Sequence, residues 1–157
     1  MGVFTIYFFD REGTCLFYHE WSRPKPVKLG AGTPGDDQKM LFGLFFQLKV
    51  FAAAMDPKGK PNAQLGAPTR IGESCSFHSF TTDLYKLHFA ESPSGLKIVL
   101  TTDPTVGDMR ESMAYIYSYI YVECVVKNPM YSPGQPFRFE TFTTQLNDFI
   151  QSLGLLQ

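Results

Sequence analysis

Residues Val3 to Phe9 form an extended run, Val-Phe-Thr-Ile-Tyr-Phe-Phe, that is apolar on both of its alternating faces. Successive residues of a strand point to opposite sides of the sheet. A strand with two apolar sides therefore needs cover on both, which places it in a sheet interior between two packed layers. Asp10-Arg11-Glu12-Gly13 follows with turn chemistry, and Thr14 to Trp21 supplies a second extended segment, so the chain opens on a β-hairpin.

The layers that cover this strand have to come from later segments. Asp36 or Asp37 can cap a helix running to about Met55, where Asp56-Pro57 stops it. On a helical period, Met40, Leu41, Leu44, Phe45, Leu48, Phe51, Ala52 and Met55 share one face, which is expected to cover the sheet. Phe42, Phe46, Gln47 and Val50 occupy the other side and are expected to face outward. Three strand-like stretches follow, at Ser74 to Thr81, Leu84 to Glu91 and Leu96 to Thr102, the last two joined by the tight-turn sequence Ser92-Pro93-Ser94-Gly95. A second helix is expected over Val106 to Lys127. It carries one stripe of Met109, Met113, Ile116, Tyr117, Ile120 and Cys124 and another of Tyr115, Tyr119, Val122 and Val126. A third, over Phe137 to Leu153, has a single stripe of Phe139, Phe142, Leu146, Phe149, Ile150 and Leu153. The order ββαβββαα predicts an α/β (α+β) domain with a five-stranded, mainly antiparallel sheet and helices for both of its faces.

Two apolar stripes on one surface helix are unusual, because such a helix normally sets one apolar stripe against a polar face. Composition points the same way. Aromatic residues make up 15% of the chain and charged residues only 18%, below the roughly 25% charged share of ordinary soluble domains. A chain of 157 residues has a limited interior, so part of this apolar surface is expected to face outward, where a partner covers it. Tyr115, Tyr119, Val122 and Val126 on the second helix, with Phe42, Phe46, Gln47 and Val50 on the first, are the expected partner-binding residues.

Nothing in the sequence calls for chemistry. The net charge is −1 with basic residues scattered, which offers no footprint for a nucleic-acid backbone or an anionic membrane. Gly30 to Gly35 spells the spacing of a dinucleotide fingerprint, but no buried strand precedes it and no βαβ unit surrounds it, so it is expected to be a loop. Pro57 to Glu73 reads as a second loop. His19, His78 and His88 lie in separate strand segments without metal-ligand spacing. Cys15, Cys75 and Cys124 are widely spaced, fit neither a disulfide framework nor a zinc site, and have no glycine elbow beside them. No catalytic, cofactor or metal residues are expected. No apolar run approaches the ~20 residues of a membrane span.

Ile6 to Gly13, Cys15 to Trp21, Tyr85 to Phe89, Glu91 to Val99 and Val125 to Pro129 together carry a resemblance to the subunit 1 family of the trafficking protein particle (TRAPP) complexes, small longin-type subunits related to sedlin. The resemblance implies one longin-like domain over residues 1–157, with strand order 2-1-5-4-3, the first helix on one sheet face and the other two on the opposite face. It also implies a core scaffold subunit of a vesicle-tethering complex between endoplasmic reticulum and Golgi, in a cytoplasmic, peripherally membrane-associated assembly that promotes guanine-nucleotide exchange on a Rab-type GTPase. The implied partners are a second longin-type subunit, palmitoylated-type subunits and the GTPase. The alternative is a longin regulatory module of an adaptor or SNARE-associated complex.

Overall fold

A computed structural model describes residues 2–22, 35–55, 57 and 78–156. The strands are β1 (Val3–Phe9), β2 (Cys15–Glu20), β3 (Ser79–Thr81), β4 (Lys86–Glu91) and β5 (Lys97–Thr102), and the helices are α1 (Asp36–Ala54), α2 (Arg110–Tyr115) and α3 (Glu140–Ser152). α2 runs directly into a π-helical stretch, Ile116–Val126. The glycine-rich run through residue 34, the segment 58–77 with Cys75, and the first part of the expected third strand lie outside the described residues.

The sheet order is β2-β1-β5-β4-β3, antiparallel throughout. This is an α+β longin-like architecture, with β1 in the interior. Its alternation sorts the core into two layers. Ile6 and Phe8, with Ile98 and Leu100 of β5, pack beneath α2, the π-helix and α3. Tyr7 and Phe9, with Val99, Leu87 and Phe89, pack beneath α1.

Turn chemistry fixes the hairpins. At the first, Asp10 Oδ1 accepts from the backbone N–H groups of Glu12 (2.9 Å) and Thr14 (2.8 Å). Gly13 has φ +93°, and a Cβ there would come within 2.9 Å of the Phe42 ring, so glycine is required for both conformation and space. At the β4–β5 turn, Ser92 Oγ accepts from Leu96 N–H (3.1 Å).

The helix N-termini depart from the sequence expectation in three places. α1 is capped by Gly35 at φ +112° rather than by an aspartate side chain, and Asp36 and Asp37 lie within its first turn. There their charge complements the helix dipole. The second helix begins at Arg110, after Val106 and Met109 have been buried from non-helical backbone. The third begins at Glu140, because the Phe137 N–H donates to the Leu16 carbonyl (3.0 Å) and holds that residue against β2.

The largest departure is the rotation of α1. Phe45, Lys49 and Val50 are buried, and Leu41 and Phe42 pack on the sheet. The Phe45 ring stacks on Phe89 (5.2 Å between centroids), Phe42 lies 5.9 Å from Phe9, and Lys49 Nζ reaches Glu91 Oε2 at 2.6 Å. Hydropathy alone could not choose between two apolar sides; the ion pair does. Phe42 and Val50 are therefore not on an outward face, whereas Phe46 and Gln47 are exposed.

Candidate partner-binding surfaces

Rotating α1 onto Phe45 and Lys49 turns a different set of large apolar side chains to solvent. Met40, Leu44, Phe51 and Met55 recur every three to four residues along one side, interrupted only by Gln47, and all are exposed, Phe51 by 59% and Met55 by 67%. Phe46 flanks this stripe. All four belonged to the side expected to cover the sheet. The signal that could have placed them outward is Lys49 amid an apolar sequence, with Glu91 as its complement across the sheet.

The opposite layer carries a second apolar surface. Tyr115 stacks on Phe149 of α3 (4.6 Å between centroids) and on Tyr119 (4.8 Å), which is itself 60% exposed. Val126 is exposed and Val122 half-buried against the core, so the stripe expected on the second helix points outward except at Val122. The π-helix accounts for this arrangement. Its i→i+5 bonding fits an extra residue into each turn, so Ile120 with Tyr121, and Cys124 with Val125, all reach the interior. Tyr115 and Tyr119 are left outside.

A buried ion triad ties α1 to the sheet. Glu91 accepts from Lys49 through Oε2 (2.6 Å) and faces Lys97 through Oε1 (3.7 Å), while Lys97 Nζ also sits 5.4 Å from the Phe42 ring centroid. Its members are mutually committed and lie under the helix, away from both apolar surfaces.

Burial pushes the Cys15 thiol up to about 11, and burial and the neighbouring Glu123 raise Cys124, so neither is a thiolate near neutral pH. Burial, with a smaller contribution from Lys86, lowers His88 to about 4, and its Nε2 hydrogen-bonds Thr102 Oγ1 at 3.0 Å. No cluster of three or more potential metal ligands occurs among the described residues, and no helix among them is long and apolar enough to cross a membrane.

Residues 3–153 match the model of the Sybindin-like family. The chain is 38% identical over 154 residues to trafficking protein particle complex subunit 1 of Homo sapiens, covering 98% of this chain and 94% of that protein. It is 35% identical over 151 residues to the subunit 1 protein of Dictyostelium discoideum, covering 96% of each. It is 28% identical over 171 residues to transport protein particle subunit bet5 of Schizosaccharomyces pombe, covering 98% of this chain and 99% of that one.

Proposed function

This chain belongs to the Sybindin-like family, and we propose that it is a non-catalytic scaffold subunit of a vesicle-tethering TRAPP complex acting between endoplasmic reticulum and Golgi. The observation that carries the reading is the outward apolar stripe of α1, Met40, Leu44, Phe51 and Met55, set on one side of the sheet while Tyr115 and Tyr119 face out on the other. Apolar side chains exposed in a row mark an interaction surface. Two such surfaces on opposite layers suit a subunit held between neighbours, a second longin-type subunit and a palmitoylated-type one, with membrane attachment supplied by the assembly.

The same complex would promote nucleotide exchange on a Rab-type GTPase without covalent chemistry, since preferential binding to the nucleotide-free form is enough to favour release. This chain would contribute part of a composite surface. The test is Leu44→Ser with Phe51→Ser in a reconstituted complex, scored for assembly, exchange rate and subunit melting. Loss of assembly with an unchanged melting temperature supports the reading; normal assembly and exchange overturn the assignment of α1 as an interface.

A further inference from the structure

Three tight turns converge at one end of the molecule around a cleft of about 490 Å3. They are the Asp10–Thr14 hairpin turn, the Ser92–Leu96 turn, and the turn at Gly134, where Gln135 N–H donates to the Ser132 carbonyl (3.2 Å). The first two are pinned by their own side chains, so the rim is formed before any ligand arrives.

Two irregularities of the fold deliver the floor. The register of β1 against β2 shifts between Phe8, paired with Phe17, and Phe9, paired with Cys15, leaving Leu16 as the extra residue of a bulge. Bulges re-aim side chains, and Leu16 lines the cleft. The π-helix brings Tyr121 to the same place, its ring buried and its hydroxyl 3.5 Å from that of Tyr131. Leu96 completes a buried apolar base. The mouth carries the carboxylates of Asp10 and Glu12 against the single guanidinium of Arg11.

We propose that this cleft binds an extended segment of a partner protein presenting a basic side chain beside an apolar one. The volume lies in the range of ligand pockets. The apolar residue rests on Leu16 and Leu96, the stem of the lysine or arginine runs over the tyrosine rings, and its head meets the acidic mouth and the phenolic oxygens. Arg11 leaves the mouth net acidic, which selects a cation over an anion. The inference rests on the assembly reading only in that the segment belongs to another protein, and the cleft is separate from the α1 stripe.

The experiment selects random heptapeptides on phage against the immobilised full chain, with Glu12→Lys and Gln135→Trp as comparison proteins. Both replaced side chains are exposed at the rim. The expected result is enrichment of sequences pairing a basic with an apolar residue, binding at least threefold weaker to Glu12→Lys and lost with Gln135→Trp, at unchanged melting temperatures. Absence of any consensus, an acidic or purely apolar consensus, or binding undiminished by Gln135→Trp overturns the inference. If the selection fails while Leu44→Ser with Phe51→Ser still impairs assembly, the cleft proposal falls and the scaffold reading stands.

Discussion

Glu91 is the residue on which the α1 layer depends most, because its single carboxylate is the counter-charge shared by Lys49 and Lys97 in a site where all three side chains are largely buried. Removing one partner of a buried pair leaves an uncompensated charge, which costs about 3–5 kcal/mol. Glu91→Ala is therefore expected to lower stability by that amount in urea unfolding, and the triple variant Glu91→Leu with Lys49→Met and Lys97→Met, which leaves no buried charge behind, to recover most of it. A loss below about 1 kcal/mol for the single variant would mean that solvent reaches the triad. Gly13→Ala meets two obstacles, φ +93° and a ring 2.9 Å from the new Cβ, and is expected to lose more than the ~1 kcal/mol that an incompatible backbone position exacts. His88 makes the fold pH-sensitive. Its folded value, about 4, lies below the unfolded value near 6.5, so the folded state binds fewer protons. Its contribution is complete above pH 6.5 and is lost as pH falls from there toward 4. His88→Gln should flatten that part of the stability profile; an unchanged profile would show that other groups set it.

At the scale of elements, the strands were legible because each property that defines them is local. Val3–Phe9 is apolar on both faces and bounded by a turn, and the Ser92–Gly95 sequence fixes the β4–β5 connection. The single stripe of α3 was clearer, with Phe142, Leu146 and Ile150 buried and Phe139 and Phe149 half-buried, although Leu153, expected to continue it, lies past the end of the helix and is exposed. α1 and the second helix were not, since each offers apolar residues all round and the deciding contacts are distant in sequence: Lys49 with Glu91, and Tyr121 with Phe8, whose rings stack 5.8 Å apart. Nothing in Ile116–Val126 announces an i→i+5 helix, so burial of Tyr121 and Val125 could not be read from a 3.6-residue period. The rotation of α1 is itself testable. Phe45→Ala should cost about 3–5 kcal/mol, as truncation of a buried aromatic does, whereas Phe51→Ala should remain within about 0.5 kcal/mol. A Phe51→Ala loss as large as that of Phe45→Ala in equilibrium unfolding would restore the face expected from hydropathy, which held both rings.

At the scale of the whole molecule, one sheet has its two faces sealed by helical layers, and each layer then presents apolar side chains to solvent on its far side. The inner seams are complete: no buried side-chain N or O atom among the described residues lacks a hydrogen-bond partner. The outer surfaces are different in kind, with Met40, Leu44, Phe51 and Met55 on α1 and Tyr115, Tyr119 and Val126 on the opposite layer. Water in contact with such a row is released when a second surface covers it, at about 25 cal/mol for each Å2 of apolar area removed. The isolated chain is therefore expected to self-associate through these surfaces as concentration rises, and to do so more strongly on warming from 5 to 25 °C, because apolar association weakens in the cold. Sedimentation velocity on the wild type and on Leu44→Ser with Phe51→Ser separates the two layers. Dissociation of the variant to monomer assigns self-association to α1, and persistence in the variant with loss in Tyr115→Ser with Tyr119→Ser assigns it to the other side. A wild-type chain that stays monomeric at high concentration would show that neither surface seeks cover, and the scaffold reading would lose the observation on which it rests.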